Sequence, residues 1–289
     1  MREGETRFRS APQREGADVV ERVLVTGASG RIGTLLRPLI ARPGRMLRLL
    51  DTAPPTGLDP AAEEAAAGSV TDMAAMERAC KGVDLVVHLA GHPSERPWAE
   101  ILDTNIHGCY TTLEAARRQG VRRVLLASSN HAVGFVPAAA AADTDVLVPR
   151  PDTYYGVSKA AMEALGSVYA DRFAMSVVSA RIGTFAAAAD IADIRTLATW
   201  FSPGDAARLV EASLALEEPG HRLVWGISRN TRRWFSLAEG EAMGFHPRDD
   251  AEDHAAQVPG AGEPGGAPGP GIRIGGTFTA DTSPLGGRW

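Results

Sequence analysis

The residues that most restrict how this chain can fold are Val23-Leu24-Val25-Thr26, followed at once by Gly27-Ala28-Ser29-Gly30-Arg31-Ile32-Gly33. A short, apolar, partly β-branched run is what a strand buried on both faces looks like. Beyond the glycines, Leu35, Leu36, Leu39 and Ile40 recur at helical spacing. Strand, glycine-rich turn and helix start form the setting in which a glycine motif cradles phosphate. Gly27 would allow the tight turn, Gly30 the approach of a pyrophosphate, and Gly33 close packing of the helix, whose unpaired N–H groups and positive dipole end face the anion. The next strand, Met46 to Leu50, ends in Asp51. An acidic side chain about twenty residues past such a turn can accept both adenosine ribose hydroxyls and would repel a 2′-phosphate, which favours NAD over NADP.

The rest of the chain repeats the alternation. An Ala-rich stretch, Ala61 to Gly68, leads into Ser69-Val70-Thr71-Asp72 and a short helix through Met73, Met76 and Ala79, which Asp72 can cap. Asp84 to Gly91 reads as a central strand that breaks at a glycine, with His88 packed inside it. One helix is expected from Pro97 to Gln119, where Gly108 permits close packing or a kink. The strand Arg123 to Ala127 then ends in Ser128-Ser129-Asn130-His131, small polar residues at the carboxyl end of a strand, where α/β folds place their active sites. A long Pro- and Ala-rich loop, Gly134 to Thr153, brings round the helix that opens with Tyr155, and Ser176 to Ile182 is a sixth strand ending at Gly183-Thr184. Six strands alternating with helices give a doubly wound parallel sheet, the Rossmann form of the α/β class.

The last hundred residues are less regular. A helix holding Trp200 and Phe201, a second from Asp205 to Leu216 and a strand through Leu223 to Gly226 suggest a small substrate-side cap formed mainly by residues 184–247, with Trp225 and Trp234 as core. Residues 1–20 read as a disordered extension, and 248–289 as a flexible Gly/Pro-rich tail with a short ordered end from Gly275. The 289 residues carry a net charge of −5 with scattered basic residues, so the footprint of a nucleic-acid binder is missing. No signal peptide and no apolar run of about 18 residues is found. Cys80 and Cys109 are too few for a disulfide scaffold and suit a reducing cytoplasm.

Tyr155 and Lys159 stand four apart at the start of a helix and so share one face. A free phenol titrates near ~10 and is a poor base at neutral pH. A nearby ammonium would lower it. Such pairs also occur by chance on exposed helices, and the weight comes from the whole order: glycine turn, acidic strand end, Ser129, then Tyr155 and Lys159.

That order resembles the extended short-chain dehydrogenase/reductase superfamily over roughly residues 22 to 247. Within it the chain looks similar to the uronate dehydrogenases, through Ala127-Ser128-Ser129-Asn130-His131, Arg150-Pro151-Asp152 leading to Tyr154-Tyr155-Gly156-Val157-Ser158-Lys159, Thr199-Trp200-Phe201-Ser202 and Gly275-Gly276-Thr277-Phe278. The resemblance implies NAD-dependent oxidation of a hexuronic acid, glucuronate or galacturonate, at the anomeric carbon to an aldarolactone, without a metal. Tyr155 would be the general base, Lys159 would hold the cofactor ribose, and Ser129 would bond the reacting hydroxyl. Asn130 and His131 would grip neighbouring hydroxyls, Arg195 the substrate carboxylate, and Thr184 would stand where the family has a serine. The cofactor would lie along Gly27, Ser29, Gly30, Arg31, Ile32, Gly33, Asp51, Ser69, Val70, Leu89, Ala90, Gly91, Asn105, Tyr155, Lys159 and Ile182. A homo-oligomer is also implied.

The chain departs from the family pattern in three places. Ser69 replaces an Asp that contacts adenine, His92-Pro93-Ser94 intervenes where a substrate serine is expected so that Ser94 would substitute from one position later, and an alanine run, Ala186 to Ala189, replaces a more polar loop. Two rivals compete with this reading. A nucleotide-sugar epimerase or dehydratase would want more chain after the sixth strand and, for a dehydratase, an acidic residue soon after Ser129. A non-catalytic NAD sensor would tend to lose Tyr155 or Lys159.

Overall fold

The computed structural model describes residues 20–141, 147–264, 268–269 and 271–289; all but the last residue of the extension expected over residues 1–20 lies outside them. In chain order the elements are β1 (Glu21–Thr26), α1 (Arg31–Ile40), β2 (Arg45–Asp51), β3 (Glu63–Ala67), α2 (Met73–Cys80), β4 (Leu85–His88), α3 (Trp98–Glu100), α4 (Gly108–Arg118), β5 (Arg123–Ser129), α5 (Tyr154–Phe173), β6 (Ser176–Ile182), β7 (Thr184–Phe185), α6 (Ile194–Thr199), β8 (Trp200–Phe201), α7 (Pro203–Leu214), β9 (Gly220–Gly226) and α8 (Ala238–Ala242).

Seven strands form one sheet in the order β3-β2-β1-β4-β5-β6-β9, and every neighbouring pair is parallel. The chain reverses direction across the sheet between β1 and β4, and there the strand ends part to leave a crevice. Successive residues of β1 face opposite layers. Val23 and Val25 pack with Leu36 and Ile40 of α1 and Leu209 and Val210 of α7, whereas Leu24 packs with Met76 of α2, Leu113 of α4 and Met162 and Tyr169 of α5. This two-sided burial is why the strands read as continuous apolar runs.

Four expectations need correction. The strand through Leu223–Gly226 does not belong to a separate cap but extends the main sheet as β9, in register with β6, since its consecutive residues Val224 and Trp225, which face opposite ways, are both buried. Trp200 and Phe201 are not helical: α6 ends at Thr199, and the pair forms β8 against β7. The single helix from Pro97 to Gln119 contains a π-helical stretch, Ile101–His107, between α3 and α4. A widened turn of this kind tends to occur at functional sites. Gly108 follows it directly, and a Cβ there would lie 2.7 Å from Val70 Cγ2, so the glycine serves close packing.

The last correction concerns the tail. Ser202 Oγ donates to Asp249, Ala251 N–H donates to Asn230 Oδ1 at 3.1 Å, and residues Ala251–Gln257 form a 3-10 turn. Val258 and Ile274 are buried. Its composition suggests flexibility, yet the described residues of the segment are held by backbone groups and by a few apolar side chains that fill gaps beside α6 and the 133–141 loop.

Candidate active site

The glycine turn opens on the crevice. Gly27 has φ +69°, and a Cβ on it would sit 2.7 Å from Ala90 N, so only glycine lets β1 turn against the end of β4. A Cβ on Gly33 would meet the Ala28 carbonyl at 2.6 Å; the close approach is to the turn itself. No side chain caps α1 at Gly30, which leaves its first-turn N–H groups open at the crevice mouth. Asp51 is fixed at the end of β2, its carboxylate accepting Ser29 N–H at 2.9 Å and Ala53 N–H at 3.2 Å. Gly27, Gly30, Asp51, Ser69, Val70, Leu89, Ala90 and Gly91 line one cleft, and its uncapped helix start and anchored carboxylate fit a dinucleotide with a free ribose 2′-hydroxyl.

Several residues expected at the cofactor also hold partners within the protein. Arg31 pairs with Asp190 at 2.9 Å, both exposed. Ser29 Oγ donates to Ala53 O, and Ser69 Oγ is bonded to Thr71 in a local turn while Asp72 caps α2. Asn105, in the π-helical stretch, is fully buried: its Oδ1 accepts His92 N–H at 2.8 Å and its Nδ2 donates to His92 O and to Ser158 Oγ. Asn105 therefore ties the end of β4 to α5. Ile182, at the end of β6, packs on the core that includes Phe201.

At the far end of the crevice β5 and α5 bring Ser129, Tyr155 and Lys159 together. Ser129 Oγ accepts His131 N–H at 3.2 Å and donates to Asn130 Oδ1 at 3.1 Å. Burial pushes the Tyr155 phenol up to about 12, opposed by a hydrogen bond with Ser129 and reinforced by the Asp152 charge. Lys159 donates to Ala127 O at 2.6 Å with its Nζ 5.4 Å from the centre of the Tyr155 ring; its own burial pushes it down to about 8. The ammonium, expected to supply part of the lowering, does not offset the burial of the phenol. Burial dominates, and Ser129 is the group that works against it. His88, whose burial lowers it to about 3, is a neutral packed histidine as expected, its Nδ1 3.0 Å from Thr26 Oγ1.

The predicted substrate residues converge on a backbone carbonyl of the carboxyl-terminal segment. Asn130 Nδ2 donates to Ile274 O at 3.2 Å, and Arg195 Nη2 donates to the same oxygen at 2.7 Å. Arg195 Nη1 reaches Thr184 Oγ1 at 3.3 Å, while its buried Nε has no hydrogen-bond partner among the described residues. Ser94 is not drawn into this cluster by any hydrogen bond among the described residues; its Oγ accepts a long 3.4 Å bond from Arg96.

Asp152 escapes the sequence reading. Its carboxylate accepts from His131 Nδ1 at 2.7 Å, which fixes the orientation of the imidazole. Cβ atoms on Gly134, Gly156 and Gly275 would fall 1.9, 2.9 and 2.0 Å from its oxygens, so three glycines clear its space. Phe278 stacks on the His131 ring at 4.0 Å. The only signal for either residue was membership of stretches singled out for other reasons.

A doubly wound sheet whose glycine turn opens on its switch-point crevice defines the dinucleotide-binding class of α/β proteins. The chain belongs to the NAD dependent epimerase/dehydratase family, matched over residues 23–236. It is 38% identical to the uronate dehydrogenase of Pseudomonas syringae pv. tomato over 82% of this chain and 85% of that one. A uronate dehydrogenase structure from Agrobacterium tumefaciens, complexed with NAD, superposes with a TM-score of 0.81 at 34% identity, covering 92% of this chain and 99% of the other. The glucuronic acid dehydrogenase of Chromohalobacter salexigens gives 0.80 at 34%, covering 90% and 96%.

Proposed function

We propose that this protein oxidises a free hexuronic acid, glucuronate or galacturonate, at its anomeric carbon, passing hydride to NAD and releasing the aldarolactone. The observation that carries the sugar-acid reading is the shared Ile274 carbonyl, which sets the Arg195 guanidinium beside Asn130 with its Nε–H unused among the described residues. A guanidinium held this way suits a carboxylate.

Ser129 donates to or accepts from the anomeric hydroxyl, Tyr155 takes its proton, and the C1–H electron pair leaves as hydride while the C1–O bond becomes the lactone carbonyl. When bound, oxidised NAD would supply the hydride acceptor. Lys159 near 8 is mostly protonated at neutral pH and places a positive charge in the same buried space. That charge acts in the direction needed to bring a phenol near 12 into use as a base. His131 Nε2 and Asn130 hold neighbouring hydroxyls, and Thr184 stands beside the carboxylate with Arg195.

Mixing the protein with NAD and, in turn, glucuronate, galacturonate, glucose and galactose tests this reading through absorbance of reduced cofactor. Signal with the uronates alone is expected. Equal turnover of the neutral hexoses would remove the carboxylate role, and no turnover would return the weight to a nucleotide sugar. The protein further associates with a second copy through α5, α4 and the π-helical stretch that leads into α4, which leave Leu102, Tyr110, Val168 and Phe173 exposed. No helix among the described residues is long and apolar enough to cross a membrane, and buried, unpaired Cys80 and Cys109 suit the reducing cytoplasm proposed for it.

A further inference from the structure

We infer that Glu95 is a positioning residue that latches the carboxyl-terminal segment onto the catalytic helix and so sets the wall of the substrate site. The inference rests on the roles proposed above for Tyr155 and His131. Glu95 is fully buried and forms no ion pair among the described residues. A buried carboxylate without a cation needs its oxygens filled by N–H donors. Its Oε2 accepts Tyr155 N–H at 2.8 Å, and its Oε1 accepts Tyr154 N–H at 3.3 Å and Gly286 N–H at 2.7 Å.

Two of these bonds are what a helix start asks of an acidic neighbour. The third is not, for Thr153 Oγ1 already caps α5 by accepting Gly156 N–H at 3.0 Å. Gly286 is 191 positions away in sequence. Beyond it, Arg288 pairs with Glu100, Trp289 O accepts from Arg96 at 3.4 Å, and the Trp289 ring meets Phe278 edge-on at 4.5 Å. Phe278 is the ring stacked on His131. One carboxylate thus grips the backbone of Tyr155 on one side and, on the other, the segment that braces His131.

The test compares the full chain, E95Q, a chain ending at Leu285, and the two changes combined. A glutamine offers one acceptor where the carboxylate offers two, so E95Q should lower kcat/KM for glucuronate by about tenfold or more while the dissociation constant for NADH stays within about twofold. Ending the chain at Leu285 should raise KM for glucuronate, and the combined variant should be no worse than the poorer single one. Losses that multiply would mean that Glu95 is a local helix cap, and the latch would fall; so would a truncated chain with the full chain's kcat and KM. Amide hydrogen exchange over residues 286–289 needs no substrate. It should speed up in E95Q, and unchanged exchange would overturn the latch even if no uronate were turned over, an outcome that would separately sink the substrate reading.

Discussion

The two ends of the crevice are built by different means. At the cofactor end the bond that fixes Asp51 joins residues 22 apart, and β1, the glycine turn, α1 and β2 follow one another without interruption. At the substrate end Asn130 is tied to a carbonyl 144 residues away, Arg195 to the same carbonyl 79 away, and Glu95 to an amide 191 away. Local closure is cheap in chain entropy and can be written as a short motif, whereas distant closure depends on the rest of the fold having formed. A relative can therefore keep the first end and rebuild the second, so the cofactor is easier to read than the sugar.

The comparison can be broken most sharply at the reacting tyrosine. Y155F should cut turnover by about 10²–10⁴-fold with NAD affinity preserved, and unchanged turnover would dismiss Tyr155 as the base. R195A should raise KM for glucuronate by roughly 10- to 100-fold, the size of a lost charge-assisted hydrogen bond, and leave any activity on glucose alone. Equal effects on both sugars would show that the long-range end does not read the carboxylate.

Lys159 gives a pH test of the join between the two ends. Its folded pKa is depressed from 10.5 to about 8, so between those values the unfolded chain holds a proton that the folded one has shed. Its contribution to stability is then largest above pH 10.5 and is lost as pH falls through 8. Denaturant melts should show K159M gaining on the native protein, by a few kcal/mol at most, as pH drops through that window; a constant difference would mean the ammonium is not buried as described. At the cofactor end D51A should reduce the preference for NAD over NADP by about tenfold, worth ~1.4 kcal/mol, and kinetics with the two cofactors measure it directly. The smallest effect belongs to D72A, which removes the cap of α2 and should cost about 1 kcal/mol in stability with KM for glucuronate unchanged.

How much could be read in advance follows the same division. Strand-turn-helix order, Asp51, and the Ser129, Tyr155 and Lys159 constellation were legible because each is a residue type at a fixed place in a repeating pattern. Asp152 was not, since its role depends on space cleared by Gly134, Gly156 and Gly275, three glycines from separate parts of the chain. Gly275 and Gly276 were singled out as part of a short ordered end, with no sign of what they do: one makes room for Asp152 and the other lies against Arg195 Nε, where a Cβ would come within 2.9 Å. The strand through Leu223–Gly226 was placed in a cap because no periodicity says which sheet a strand will join. The π-helical stretch was hidden because its apolar spacing is also that of an α-helix.

The oxygen of Ile274, which receives both Asn130 and Arg195, belongs to the backbone and survives every substitution at that position. The Ile274 side chain points into a core of Val133, Trp225 and Phe235. A mutational survey would score position 274 as packing, and an alignment would see one apolar residue traded for another. The contact that unites the two substrate-gripping residues would leave no mark in either record, and would have to be found by moving the main chain, through insertion or deletion nearby, rather than by changing a side chain.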